Sequence, residues 1–357
     1  LKEIFYTSLY HTMIAPNKLS DRNGDFRSTD MKIYNDSNIN FTVFSLWDTF
    51  RSTHPLFNLI ERKRTSLFLN SFLNQYKNGG QLPIWELCAN YTGCMIGYHV
   101  VSVILDAYVK GINYDNYDKL YQAMLHISNR NKLGIPEFKK KGYISSFTEP
   151  ESVSKTLEYS YNDWCIYKMA QLYNDSTNLS IYAKRAQSYK NLFNKNSGLM
   201  QPKTNANWKA GFIPSEVNYN YTEANSWQYS FFVPHDITGL IELHGSKKQL
   251  EAKIDELFTA NSNMVGRNQA DITGLIGQYA HGNEPSHYMS YLYNMVDKPY
   301  KSQKMVNTIL NKMYSTNPNG IIGNEDCGQM SAWYVLSSIG LFDVNPGDPY
   351  YLIQTPL

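Results

Sequence analysis

Five stretches of this chain set acids, amides and tryptophan side by side at what read as helix entrances. Ser45-Leu46-Trp47-Asp48-Thr49-Phe50-Arg51 places an indole beside a carboxylate and a guanidinium, which suits stacking a ring and holding its hydroxyls. The structural account of the same residues is a helical Asp48–Arg51 pair over a core Trp47. Pro83-Ile84-Trp85-Glu86-Leu87 runs on to Asn90-Tyr91-Thr92-Gly93 and His99. Glu86 has no charge partner nearby in sequence, and Thr92 stands where it could cap the next helix. Ser154 to Trp164 carries Glu158, with Lys155 as its ordinary i,i+3 partner. Tyr221-Thr222-Glu223-Ala224-Asn225-Ser226-Trp227-Gln228-Tyr229 puts Glu223 at a helix start, where the dipole favours a carboxylate. Its aromatic neighbours could desolvate it and hold it protonated near neutral pH.

The fifth feature is a pair of similar loops, His281-Gly282-Asn283-Glu284-Pro285-Ser286-His287 and Gly323-Asn324-Glu325-Asp326-Cys327-Gly328-Gln329. Their hard oxygen donors suit Ca²⁺ and not Zn²⁺. Neither follows the EF-hand pattern, and helix capping is the structural account of both. His281 and His287 are too far apart in sequence for a helical zinc pair. There is no GxSxG elbow, no P-loop, no HExxH and no GxGxxG opening a helix. A reaction run by two carboxylates with a hard cation assisting is the simplest chemistry left.

The elements that must carry these residues are mostly helical. Helical periodicity recurs in pairs: Val43–Phe50 with Leu56–Tyr76, Gly93–Lys110 with Tyr117–Ser128, and Thr156–Tyr173 with Ile181–Leu192. Glu223–Phe232, Ile237–Leu243, Lys248–Asn261, Pro285–Val296, Ser302–Tyr314 and Gln329–Ile339 follow. Strand signals are short and lie near Met31–Tyr34, Leu199–Gln201 and the C-terminus. The pattern predicts an all-α chain, an (α/α)6 helical barrel with short β segments in its loops. A solenoid of helix pairs is the rival, but no fixed period recurs. The funnel at one end of such a barrel is where the acidic loops would meet.

Composition narrows the function. The 357 residues hold 33 Lys+Arg against 31 Asp+Glu, so a net charge of +2 offers no electrostatic case for nucleic acid. No apolar run is long enough for a transmembrane helix. Cys88, Cys94, Cys165 and Cys327 make no CxxC pair and read as buried thiols, with Cys88 and Cys94 spaced so that they could pair. Aromatic residues reach 14%, with 29 Tyr and 6 Trp, and aromatic faces pack well on sugar rings. The chain starts at Leu1 without Met and stops soon after Tyr350-Tyr351, so a piece of a longer protein is expected.

Taken together the segments resemble glycoside hydrolase family 92, the calcium-dependent exo-α-mannosidases. The markers are LYHTMIAPN (Leu9–Asn17), FSLWDTFRSTHPL (Phe44–Leu56), LPIWEL (Leu82–Leu87), TGCMIGYH (Thr92–His99), SKTLEYSYNDW (Ser154–Trp164), EANSWQY (Glu223–Tyr229), GNEPSH (Gly282–His287) and GNEDCGQMSAWYV (Gly323–Val335). The resemblance implies a barrel over residues 1–345, the start of a C-terminal segment over 346–357, and an N-terminal β-sandwich lying outside this chain. It implies an inverting mechanism with Glu223 as general acid and Asp326 as general base. It implies Ca²⁺ near Asn283 and Glu284, and sugar contacts from Trp47 and Asp48. Glu86, His281 and Asn324 complete the expected substrate-binding set. The implied partners are an α-mannoside such as an N-glycan and the sandwich domain, and the implied location is secreted, periplasmic or cell-surface. Three positions depart from the family pattern: Tyr91 where many members carry Glu, Asn324 where some carry Asp, and Gly282 where some α-1,2-specific members place an acid. A catalytically silent sugar-binding relative and a helical-barrel glycosidase of other specificity are the alternatives.

Overall fold

The computed structural model describes residues 1–357. Six inner segments alternate with outer helices in a closed double ring. The inner ones are Thr53–Ile60, Val100–Val109, Ser152–Leu172, the turn Ser226–Tyr229, Met289–Val296 and Gln329–Ser338. Nearly every residue of Val100–Val109 and Gln329–Ser338 is buried, because these helices are shielded on all sides. The outer helices Arg62–Gly79, Tyr117–Ile127, Ser176–Ala186, Lys247–Thr259 and Pro299–Lys312 bury one stripe each. The N-terminal helix Lys2–Thr12 packs on Gln329–Ser338, which packs on Thr53–Ile60 and so closes the ring. The first and last thirds of the chain therefore meet. This is an (α/α)6 barrel. None of its helices is long and apolar enough to cross a membrane.

Several boundaries differ from the sequence expectation. Val43–Phe50 is not one helix: Phe44–Ser45 is a strand paired with Trp85–Leu87, and only Leu46–Thr49 makes a helical turn. The break between inner and outer helix falls at Glu61, not at His54-Pro55, since proline is tolerated in the first turn of Thr53–Ile60. The helix expected from Gly93 starts at Val100, because Gly93, Met95 and Gly97 all adopt positive φ. Thr92 caps nothing there; its hydroxyl donates to Trp85 O at 2.9 Å and pins the loop. Pro285–Val296 forms two 3₁₀ segments instead of an α-helix. Lys2–Thr12 was not expected at all: it is weakly amphipathic and exposes Tyr6 and Tyr10.

The short β segments lie in the loops. The expected sites near Met31–Tyr34, Leu199–Gln201 and the C-terminus each hold one, at Ile33–Asn35, Leu199–Met200 and Leu352–Ile353. The last pairs with Leu341–Phe342 and folds the tail back on the barrel, where Tyr351 donates to Pro55 O at 2.8 Å. All four cysteines are free thiols, and only Cys165 is fully buried.

Candidate active site

Asp48 is carried by the turn Leu46–Thr49. The strand before it is held by Trp85–Leu87, and Leu46 N bonds Ile84 O at 3.2 Å. Ser45 donates its hydroxyl to the Asp48 carboxylate. Asp48 is buried, and burial pushes its carboxyl well above the usual range, helped by the charge of Asp326. Trp47 beside it donates Nε1 to Glu158 at 2.9 Å.

Glu223 stands before its helix and does not open it. The helix Ser226–Tyr229 is capped by Asn225 in a capping box with Gln228, which leaves Glu223 outside the first turn. Its φ is 47°, a left-handed conformation that points the side chain away from the run of the chain. The segment before it is tied to the barrel wall: Val153 N bonds Asn220 O at 3.0 Å and Thr222 N bonds Ser154 Oγ at 2.9 Å. Burial first, then the charge of Asp271, push the Glu223 carboxyl up to about 7.

Asp326 lies in the second acidic loop, at φ 50°, followed by Cys327 at 55° and Gly328 at 90°. Two non-glycine residues in succession in the left-handed region are costly, and the surroundings must enforce them. Glu325 supplies part of that hold, accepting from Ser331 N at 3.1 Å and Ser331 Oγ at 2.7 Å. Burial raises the Asp326 carboxyl to about 6. The two acidic loops touch backbone to backbone: a Cβ on Gly323 would come within 2.6 Å of Gly282 O.

Asn283 and Glu284 occupy the first loop. Asn283 donates Nδ2 to Glu223 O at 2.8 Å, and its Oδ1 accepts from Glu284 N at 3.3 Å. The Glu284 carboxyl is buried, and neither of its oxygens has a hydrogen-bond donor. Burial, then Asp48 and Asp326, drive it well above the usual range, while Arg51 opposes the shift. An orphaned, buried carboxyl beside a second carboxyl fits a hard cation. No three acid, histidine or cysteine side chains converge on one point, so such a cation would draw the rest of its oxygens from backbone, water or ligand.

Asp48, Glu223, Glu284 and Asp326 thus form one cluster, each perturbed by at least one of the others. Arg51 is the cation that opposes the shifts of Asp48 and Glu284. It makes no ion pair with Asp48; its guanidinium lies 5.3 Å from the Trp47 ring, 4.5 Å from Phe50 and 5.2 Å from Phe232. Paired carboxyls, one held protonated near neutrality, can perform acid–base hydrolysis of an acetal.

The glycosyl hydrolase family 92 catalytic domain matches residues 1–357. The chain belongs to this family. It superposes on a family 92 α-mannosidase from Bacteroides thetaiotaomicron in complex with mannoimidazole at a TM-score of 0.96, with 39% identity, over 100% of this chain and 48% of that one. A family 92 inverting mannosidase from the same organism matches at 0.89 and 33%, over 99% of this chain and 50% of that one. An uncharacterized secreted glycosidase from Arthroderma benhamiae is 27% identical over 396 residues, covering 99% of this chain and 44% of its own length. The chain spans about half the length of these relatives.

Two residues expected to touch sugar do not face the cluster of this family 92 barrel. Glu86 turns into the wall, where one oxygen accepts from Thr42 Oγ1 and Ala89 N, both at 2.6 Å. The pairing of Phe44 with Glu86 across the sheet explains this, since alternation buries that face. His281 is enclosed by tyrosines: Tyr279 OH lies 2.8 Å from Nδ1 and Tyr314 OH 2.8 Å from Nε2. It braces the first acidic loop from behind. Asn324 is exposed on the rim and donates to Asp271 Oδ1 at 3.1 Å. Gly282 has no room for a side chain, because a Cβ there would run into Thr273 Oγ1.

Other residues matter that sequence reasoning gave a different role or passed over. Glu158 does not pair with Lys155, which bonds Glu149 at 2.5 Å instead. Glu158 accepts from Trp47 Nε1 at 2.9 Å, Tyr229 OH at 2.7 Å and His99 Nε2 at 3.0 Å. Asn162 fixes the tautomer: its Oδ1 takes Tyr98 N at 2.8 Å, so its Nδ2 donates to His99 Nδ1 at 3.0 Å and leaves Nε2 as the donor. Asp271, which raises both Glu223 and Asp326, had no sequence signal beyond being an acid in a loop.

Proposed function

We propose that this chain is the catalytic barrel of an inverting exo-α-mannosidase that removes terminal mannose from α-mannosides such as N-glycans. The observation that carries the reading is the carboxyl of Glu223, raised to about 7 by burial at the mouth of a cluster that also holds Asp326. Identity of 39% over the whole chain to a mannosidase bound to mannoimidazole supports the substrate class.

In this reading Glu223 gives its proton to the glycosidic oxygen as the bond to the anomeric carbon breaks. Water attacks that carbon from the opposite face and passes its proton to Asp326. The product is mannose of inverted configuration, and solvent exchange returns both carboxyls to their starting states. Such pairs stand roughly 6.5–9.5 Å apart to admit the water. Asp48 and Trp47 would hold the terminal sugar. Asn283 and Glu284 would hold a Ca²⁺, which when bound supplies positive charge to neighbouring hydroxyls. The remaining half of a full-length family 92 protein, expected to include a β-sandwich, would border the pocket. A secreted or cell-surface location is proposed from the secreted relative.

The test is release of mannose from linkage-defined mannobioses by the full-length protein, followed by NMR. The reading requires β-mannose as the first product; α-mannose first, or no mannose from any linkage, refutes it.

A further inference from the structure

The acid Glu223 decides on which side the leaving part of the glycan lies, and that side carries exposed aromatic rings. The segment leading into Glu223 is held by two others, one carrying Glu151 and one carrying Arg267 and Asp271. Both belong to the same lip. Glu151 N bonds Tyr219 O at 2.5 Å, four residues before Glu223. Asp271 lies four residues beyond Arg267, whose guanidinium sits 4.9 Å from the Tyr219 ring. The strands Glu216–Val217 and Val265–Gly266 run parallel and lock these segments together, with Arg267 N on Val217 O at 2.9 Å. On the other side of Glu151, Phe147 projects from the loop that Ser146 N ties to Lys203 O at 2.8 Å.

Tyr219 is 69% exposed and Phe147 80%, although the backbone beneath each is hydrogen-bonded and fixed. Two exposed rings stand on hydrogen-bonded segments joined to the one that leads into Glu223, and one of them has a cation against it. They suit the axial C–H faces of pyranose rings.

We infer that the lip of Phe147, Tyr219 and Arg267 binds the leaving oligosaccharide, taking sugar rings beyond the one cleaved. The inference rests on the mannosidase reading above for the placement of the leaving group. It assigns no contact to the terminal mannose. The lip would favour long glycans over short ones without changing the chemistry at Glu223.

The experiment uses the full-length protein with Phe147→Ala, Tyr219→Ala and the double variant. Substrates are 4-nitrophenyl α-mannoside, α-linked mannobiose and an α-linked mannotetraose. Calorimetric titration of mannotetraose and of free mannose is run on the Glu223→Gln background. Each single change should lower kcat/KM on mannotetraose about 3–10-fold, as expected for losing one stacking ring. The loss on the nitrophenyl substrate should be under twofold, and mannotetraose binding should weaken while mannose binding does not. Equal losses on all substrates, or no loss on mannotetraose, overturn the lip. So does a shift in oligomeric state or melting temperature with unchanged kinetics, which would make the lip a protein interface. If the wild type cleaves nothing, the mannosidase reading fails, and the titration still decides whether Tyr219 contacts the oligosaccharide.

Discussion

Asn283 donates its side-chain amide to the main-chain carbonyl of Glu223 at 2.8 Å. One bond therefore ties the loop that bears Glu284 to the turn that bears Glu223. The same asparagine caps the turn at Glu284, so its two polar atoms serve two loops at once. Glu223 and Glu284 thus share one positioning residue.

That coupling sharpens the test of the acid. Glu223→Gln keeps the backbone carbonyl and the bond from Asn283 but removes the proton. Turnover of a poorly activated mannoside should fall about 10²–10⁴-fold, and of one with a good leaving group much less. Steady-state rates on mannobiose and a dinitrophenyl mannoside give the comparison. Equal losses on both would take Glu223 out of the acid role.

Asp326→Asn should abolish turnover on both kinds of substrate, because water activation is needed whatever the leaving group. Asparagine tolerates the left-handed backbone at φ 50°, so the fold should persist. Binding of a mannose-like inhibitor by calorimetry should survive. Near-wild-type rates on an activated substrate would remove Asp326 from the mechanism.

The pH profile follows from the two raised carboxyls. Asp326, at about 6, must be ionised to act as base, so activity falls as pH drops through that value. Glu223, at about 7, must be protonated to act as acid, so activity falls as pH rises through that value. The profile of kcat/KM should be a narrow bell with its maximum between them. A plateau running well above pH 8 would contradict the assignment of Glu223.

The barrel and its acids were legible for different reasons. Pairs of apolar runs separated by Gly, Pro and Asn mark helical hairpins in any sequence, and most inner and outer helices lie where those runs fall. Helix Lys2–Thr12 escaped because its partner, Gln329–Ser338, is at the other end of the chain. Trp47, Asp48, Asn283 and Glu284 were visible as polar interruptions before apolar runs. Glu86 and His281 look the same in sequence, and only the sheet register of one and the tyrosine cage of the other turn them inward. Glu158 was read as an i,i+3 pair with Lys155, since nothing local shows that three donors reach it from Trp47, His99 and Tyr229.

Calcium should matter to stability as well as to rate. Burial raises Asp48 and Glu284 well above their ordinary values. A raised carboxyl favours the fold at low pH and loses that contribution as pH rises through its folded value. Glu223 adds to the effect between its ordinary 4.5 and about 7. Chelated protein should therefore melt lower as pH rises through this range, and Ca²⁺ should restore most at the high end. At 100 times its dissociation constant the ion would contribute about 2.7 kcal/mol. Activity lost on chelation should return with Ca²⁺ better than with Mg²⁺, which demands tighter geometry. Melting curves unmoved by Ca²⁺, with full activity in chelator, would dismiss the metal.

Glu158 tests whether the floor beneath the sugar is built or incidental. Its carboxylate takes bonds from Trp47 Nε1, Tyr229 OH and His99 Nε2, all buried. His99 stacks on Phe50 with ring centroids 4.1 Å apart, and burial lowers its pKa, so it donates as a neutral ring. Glu158→Ala strands three donors away from water, each at a cost of about 1–3 kcal/mol, so the variant should unfold several kcal/mol more easily. Losing the Trp47 bond also frees the indole beside Asp48, so the expected signature for Ala includes a raised KM for the mannoside with kcat changed little. Glu158→Gln should lose less: one oxygen can still serve Trp47 and Tyr229, and only His99 Nε2 then faces the amide nitrogen. The expected signature for Gln is a modest fall in melting temperature with KM close to that of the wild type. Gly97→Ala should imitate the same damage from the other side, because a Cβ there would run into the His99 ring, and φ of 78° disfavours any side chain. Chemical denaturation and Michaelis–Menten kinetics on the three variants check this. A Glu158→Ala protein as stable as the wild type and with wild-type KM would show that Trp47 is held by packing alone.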